Sequence, residues 1–309
     1  MPTDKHRLIT RADFDGVVCG GLLYERDLID EIMFAEPGPM QAGEVPVRMG
    51  DITANLPYVD GVHLVFDHHA SEVLRVGSRV NFVIYPKAPS AARVIYEHYG
   101  GAKAFPKVSS ELLDAVDKAD SAQFDEAEIL APDGWVLLNF ILDPRSGLAG
   151  QFQITNEQFM KDMMVYCRHH RVEEILEIPD VAERVRFYWM QEEAFEEQLR
   201  RRSRVCGNLI LIDFRQEAAI HAGNRFTVYA LYRRCNISLT VTVNGAMTTL
   251  AVGKSILDRS SNTDIGALML EYGGGGHVAA GGCRVPNGDA DRVLEALAAR
   301  INTDGEYIA

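Results

Sequence analysis

Three short stretches of this chain end in side chains that could hold a divalent cation. They are Asp13 and Asp15 in ITRADFDGVVCGG, Asp51 in VPVRMGD, and Asp67-His68-His69 in VHLVFDHH. Asp13 and Asp15 stand two positions apart, so in extended chain both point the same way and need a positive charge to offset their repulsion. Carboxylates joined by imidazole suit a hard-to-borderline ion such as Mn²⁺. Asp120 in ELLDAVDKADS is the next candidate ligand, and failing it Asp117. Two ions sharing a bridging carboxylate would activate a water and clamp a phosphoryl oxygen. Any one of these aspartates could instead be an ordinary helix N-cap. Their recurrence at three strand-like ends favours the metal.

For such residues to meet, the elements before them must lie in one open parallel sheet, whose carboxyl ends share an edge where ligands bind. The first half of the chain has that rhythm. RLIT precedes a helix-like stretch from Val17 to Asp30, and VPVRM, VHLVF and VNFVIY read as further strands. SAARVIYEHYG is an amphipathic helix with a terminal glycine, and ELLDAVDKADS is a helix ending near Asp120. Strands alternating with helices indicate α/β architecture. EQFMKDMMVYCRHH and VAERVRFYWMQEEAFEEQLRRRS are charge-rich and helix-periodic. Beyond them NLILIDF, RFTVYALY, ISLTVTVN and MTTLAVG read as strands, with TDIGALMLEYG and ADRVLEALAARI as helices. The expected fold is therefore a parallel-sheet α/β domain over 1–150, a helical linker over 151–204, and a smaller α+β domain over 205–309.

The second domain carries its own candidate site in LEYGGGGHVAAGG. Gly273 suits the left-handed residue that ends a helix. Gly274, Gly275 and Gly276 go beyond that need and could let backbone N–H groups converge on an anion, with His277 as a further donor. Arg259 and Ser260 lie just upstream and offer a bidentate phosphate contact and a hydroxyl. Tyr272 and Phe226 are available as stacking platforms for a base. Two other stretches are set aside. LAVGKS ends like a phosphate-binding loop, but Thr248 stands where that motif requires glycine. His169-His170 has no strand-end context and reads as a solvated helix face.

Bulk properties narrow the class. The chain has 309 residues and a net charge of −13, which argues against coating a long nucleic-acid duplex and leaves room for a small anion at a local cationic site. Residues 205–309 carry nine basic and ten acidic side chains, so the excess acid lies in the first 204. No apolar run is long enough for a membrane span, and MPTDKHRLIT lacks the apolar core of a signal peptide. Five scattered cysteines without a C-x-x-C read as reduced thiols of a cytoplasmic protein.

Taken in order, ADFDG, MGD, FDHH, DKADS and GGGGHVAAGG resemble the DHH phosphoesterase superfamily, including its DHH-associated C-terminal domain, over nearly the whole chain. The members it resembles are the nanoRNase and exopolyphosphatase types. The resemblance implies an α/β domain carrying Mn²⁺ or Mg²⁺, a helical linker, and a C-terminal domain that binds substrate. It implies Asp13, Asp15, Asp51, His68 and Asp120 as metal ligands, with Asp51 bridging and Asp67 supporting His68. It implies His69 as the acid for the leaving oxygen, and Arg259, Ser260, His277 and the glycines at 273–276 as the grip on a terminal phosphate or nucleotide. One position departs from it. Relatives read T-H-x-D-x-D-G with the histidine on a metal, whereas here Arg11 occupies that place, and arginine stays protonated and cannot ligate. One or two ions are therefore expected, with Arg11 pairing Asp13 or a substrate phosphate. His6 and His63 lack the spacing to replace the missing histidine.

The expected activity is metal-dependent hydrolysis of short nucleic acid ends or small dinucleotides, such as nanoRNA or pApA. A polyphosphate or pyrophosphate phosphatase is the alternative enzyme. A regulatory anion-binding protein with impaired catalysis is the alternative of another class. No membrane and no long duplex are expected as partners, and a homodimer is compatible with the sequence.

Overall fold

The computed structural model describes residues 5–148, 150 and 152–306. The chain falls into two compact units. One comprises the described residues up to Gln123 together with Pro132–Tyr188, and the other comprises Phe124–Ala131 and the described residues from Trp189 onward. The boundary expected at 150/151 falls on Gln151, outside the described residues.

The first unit is built on five strands, β1 (His6–Thr10), β2 (Ile29–Phe34), β3 (Ile52–Ala54), β4 (Leu64–Asp67) and β5 (Phe82–Ile84). They pair in the order β2-β1-β3-β4-β5, and every pairing is parallel. Around the sheet lie helices α1 (Phe14–Glu25), α2 (Ala70–Val76), α3 (Ala91–His98) and α4 (Ser110–Asp120). The register sets Leu8 beside Ile52 and Thr10 beside Ala54, so the carboxyl ends of β1 and β3 are level. Thr10 Oγ1 donates to the Ala54 carbonyl at 2.9 Å and ties these two ends together.

Two departures from the sequence reading, and the packing of the expected helical segment, matter for the site. The helix expected to run to Asp30 stops at Glu25; Asp27 turns the chain at φ 57, and β2 follows. VPVRM is not a strand. Pro46 has no N–H for a ladder, and Val45 and Val47 lie over the Ile9, Met40 and Leu56 cluster. The strand is the three residues after it, β3, all buried. Two further helices, α5 (Asn156–His169) and α6 (Pro179–Arg202), cover the segment expected as a connector. α5 packs on α1, with Met160, Met163, Met164 and Cys167 buried, so it is part of the first unit's core. At about 1.5–3 kcal/mol for each fully buried side chain of this size, such a face holds a helix in place. Early on α6, the fully buried Arg184 lies over the Phe159 and Phe152 rings and donates to the Asp180 and Ile154 carbonyls. α6 begins in the first unit and ends in the second.

The second unit has six strands, β6 (Ser203–Cys206), β7 (Leu209–Asp213), β8 (Ile237–Asn244), β9 (Met247–Lys254), β10 (Gly275–His277) and β11 (Ala280–Pro286). Their order is β10-β11-β9-β8-β7-β6, antiparallel except for β7 with β8. Helices α7 (Ile265–Leu270) and α8 (Ala290–Glu306) contribute Ile265, Met269, Leu297 and Ile301 to the core against Leu239 and Leu250. RFTVYALY, rich in strand-forming residues, contains the short helix Thr227–Leu231 instead. Phe226 and Tyr229 at i, i+3 are both buried by that turn, and Tyr229 donates its hydroxyl to the Gly253 carbonyl. Gly253 and Lys254 lie within β9, so LAVGKS is a ladder strand.

Candidate metal centre

β1 ends at Thr10, and the chain then folds back on itself before α1. Asp13 is the N-cap of α1, and its Oδ1 accepts from the Gly16 N–H at 3.0 Å. A Cβ on Gly16 would collide with the Arg11 carbonyl oxygen, which gives the glycine of ADFDG a steric reason. Asp15, one residue into α1, is buried at 3% exposure. Its carboxylate accepts from the Ala91 N–H at 2.9 Å and the Ala92 N–H at 2.8 Å. Those groups open α3, so the positive end of a helix faces a buried anion. α3 is held in turn by Ser90, whose hydroxyl accepts from the Arg93 N–H and donates to Asp117 at 2.7 Å. Asp117 also takes the Arg93 guanidinium.

β4 delivers Asp67, His68 and His69. His68 sets Nδ1 3.1 Å from the Ala88 carbonyl oxygen, which fixes that nitrogen as the donor, and sets Nε2 3.0 Å from Asp120 Oδ2. Asp120 is the last residue of α4. Asp15, His68 and Asp120 each offer a ligand atom within 4.8 Å of the others. Of the two fourth-motif candidates, Asp120 therefore joins the cluster and Asp117 serves the cap of α3. Asp67 is fully buried, and its Oδ1 lies 2.7 Å from His69 Nδ1. The expectation that Asp67 supports His68 is thus corrected. Asp67 holds His69, because residues two apart share a face at a strand end.

Asp51 is also corrected. It precedes β3 instead of following it, so it sits at the opposite edge of the sheet from Asp13 and Asp15. There it is 1% exposed and takes a two-pronged pair from Arg7, Nε to Oδ1 at 3.0 Å and Nη2 to Oδ2 at 2.7 Å, plus the Arg48 N–H at 2.6 Å. The residue that follows β3 is Asn55, buried and in the left-handed region at φ 56. Its Nδ2 donates to Asp13 Oδ1 at 3.2 Å. Arg11 completes this corner with Nη1 3.1 Å from Asp13 Oδ2.

The donor set fits a divalent cation. Asp67 Oδ2 is buried without a hydrogen-bond partner among the described residues, an arrangement that costs free energy unless something else binds there, and His68 Nε2 is turned toward the Asp120 carboxylate. Two carboxylates and an imidazole in one cluster match the ligands of Mn²⁺ or Mg²⁺ sites. The electrostatics agree. Burial and the Asp120 charge push Asp15 up to about 7. Burial would lower His68, but the hydrogen bond and charge of Asp120, with Asp15, carry it up to about 9. Protons thus compensate a surplus of negative charge that a cation would neutralise. Asp120 goes down because the hydrogen bond and charge of His68 outweigh its partial desolvation. His69 goes up because its hydrogen bond to Asp67 outweighs burial.

Arg145, which the sequence reading passed over, belongs to the same neighbourhood. It pairs with Asp143 at 2.7 Å, and the charge of Asp143, with Asp13 and Asp120, raises its pKa.

In the second unit the latter half of the glycine run is in a strand. Gly275, Gly276 and His277 pair with Gly282, Gly281 and Ala280. Gly273 does end α7 in the left-handed region, at φ 72. Gly276 has φ 152, and a Cβ there would meet the Ala280 carbonyl, so tight pairing of β10 explains glycines that looked like an anion cradle. Arg259 and Ser260 are exposed, and Ser260 Oγ accepts from Asn236 at 2.9 Å. Beside them the Ser261 and Thr263 hydroxyls are buried without partners among the described residues. Phe226 is buried against Phe124 and Tyr229 and is not available to stack on a base. Tyr272 is partly buried against the core.

Among solved structures, this chain is 51% identical to the pGpG-specific phosphodiesterase PggH from Vibrio cholerae. The match covers 97% of this chain and 100% of that one, with a TM-score of 0.81. The chain belongs to the DHH phosphoesterase superfamily. It is a hydrolase of phosphoester bonds. RecJ from Thermus thermophilus, solved with Mn²⁺, matches 95% of this chain and 52% of its own at 14% identity and a TM-score of 0.53, which is a likeness of fold. No protein-family model and no curated protein matches the chain. Among the described residues no helix is long and apolar enough to cross a membrane.

Proposed function

We propose that this DHH phosphoesterase is a Mn²⁺- or Mg²⁺-dependent phosphodiesterase that hydrolyses a linear dinucleotide such as pGpG into two mononucleotides. The observation that carries the metal-dependent chemistry is the convergence of Asp15, His68 and Asp120, each offering a ligand atom within 4.8 Å of the others. The dinucleotide is supported by the 51% identity to a pGpG-specific enzyme over nearly the full length of both chains.

Asp15, His68 and Asp120 would hold a divalent cation, which would supply positive charge to activate the attacking water and offset charge on the phosphate. The other roles fall to the chain itself. Asp67 grips His69 through Nδ1 and favours its protonated form, so Nε2 is the atom that passes a proton to the leaving 3′ oxygen. Arg11 and Arg145 add fixed cationic charge for the bridging phosphate. Arg259, Ser260 and His277, with Gly273, Gly274, Gly275 and Gly276, are the proposed contacts for the terminal phosphate or nucleotide. The free thiols of all five cysteines support a cytoplasmic setting.

The test is parallel incubation with pGpG, pApA and polyphosphate in Mn²⁺ or Mg²⁺, with products resolved by chromatography. Mononucleotide release that disappears in His68→Ala is the expected result. Phosphate release from polyphosphate with no dinucleotide cleavage would replace this reading by the phosphatase one. Inertness toward all three would favour the regulatory one.

A further inference from the structure

We propose that the centre holds a single divalent cation and that Arg11, clamped against Asp13, supplies the remaining positive charge of the site. This deepens the phosphodiesterase reading and rests on it.

A second ion would need ligands of its own. The resemblance to the superfamily implies a histidine at position 11 and a bridging carboxylate from the second motif. Arg11 has no lone pair to give. The acid expected to bridge, Asp51, is locked to Arg7 at the far edge of the sheet, and the strand end that faces Asp13 carries neutral Asn55. Asp13 is a carboxylate and only accepts, so the Asn55 amide must present its NH₂ to it and not its oxygen. Asp13 is already served by the Gly16 N–H, the Asn55 amide and the Arg11 guanidinium, three donors against about four lone-pair sites. The three ligands that the resemblance implies for a second ion are therefore occupied, neutral or cationic, and the other close group, Asp67-His68-His69, shares His68 with the first cluster and has Asp67 Oδ1 tied to His69.

Charge agrees with this count. Asp13, Asp15 and Asp120 carry three negative charges; Arg11 and one divalent cation carry three positive ones, and His69 stands opposite Asp67. Another divalent ion would leave this partly buried corner with an excess of two. Arg11 Nε is buried and Nη1 is engaged by Asp13, so the guanidinium is held in place as a fixed charge.

The experiment measures bound manganese in the full chain after equilibration with Mn²⁺ and removal of free metal. Elemental analysis gives stoichiometry, and electron paramagnetic resonance separates an isolated ion from a spin-coupled pair. The native chain is expected to bind one Mn²⁺ with an uncoupled signal. Arg11→His combined with Asn55→Asp, which restores both missing ligands, is expected to bind two with a coupled signal. Two ions in the native chain would overturn the inference, whatever the fate of the variant. A folded double variant that still binds one ion would also overturn it. Failure here is separable from failure of the proposed function. Two ions with pGpG cleavage sinks only the single-ion inference, and one ion without pGpG cleavage sinks only the substrate.

Discussion

Replacing Asp51 by alanine separates two accounts of that residue, ligand or structural anchor. Asp51 is 1% exposed and Arg7 is 8% exposed, and three donors converge on the carboxylate. Removing it leaves a buried guanidinium whose other partners are the Pro46 carbonyl at 2.9 Å and Glu31 at 4.0 Å. Breaking a buried pair in this way costs about 3–5 kcal/mol. Glu31 offsets part of that loss, so about 3 kcal/mol is expected, near the lower bound. For a unit of this size each kcal/mol shifts Tm by roughly 2–4 °C, so a fall of roughly 6–12 °C follows. The assay is thermal unfolding followed by circular dichroism, paired with Mn²⁺ titration below the transition. The expected outcome is a lower Tm with unchanged Mn²⁺ affinity of the folded protein. Arg7→Leu combined with Asp51→Leu should recover part of the loss, because it removes both charges. An Asp51→Ala protein that melts like the native one but no longer binds Mn²⁺ would refute the anchoring role and return Asp51 to the metal.

Other consequences follow from the geometry. Ser90→Ala removes the cap of α3 and the partner of Asp117, so stability should fall by about 1 kcal/mol, and Mn²⁺ affinity measured calorimetrically should weaken because the N–H groups that hold Asp15 shift. Gly16→Ala drives a methyl group into the Arg11 carbonyl and should cost about 1–3 kcal/mol by overpacking, with loss of turnover in the surviving folded protein. Glu72 on α2 accepts from the Tyr58 N–H and the Arg75 guanidinium, which outweigh burial and hold its pKa below 4.5. Its stabilisation is complete above the unfolded value and is lost as pH falls through the lower folded one. Acid denaturation monitored below pH 4.5 should therefore be less steep in Glu72→Gln than in the native chain.

Most of the site was legible because a parallel sheet gathers its strand ends at one edge. RLIT and VHLVF are recognisable strands, so the sequence alone places Asp13, Asp15 and the Asp67-His68-His69 triplet together. Asp120 was legible from the helix that it ends. Asp51 was misplaced because VPVRM is apolar enough to pass for a strand, whereas β3 has only three residues and, being buried on both faces, no alternation to betray it. Asn55 was invisible for a chemical reason: a search for acids and imidazoles does not look at an amide. The Asp67–His69 pair could have been read from its spacing of two, which puts both on one face. The glycine run misled in the opposite direction. Its composition suggested a loop, but the backbone pairs as β10, where glycine is needed for close approach to β11.

The most direct test of the account is a crystal structure of the chain grown with Mn²⁺, with anomalous scattering recorded at the manganese edge. The account predicts one peak in contact with Asp15, His68 Nε2 and Asp120, with Asp51 still paired to Arg7 at the far edge. A peak bound by Asp51, or no peak at the Asp15, His68 and Asp120 cluster, would contradict it.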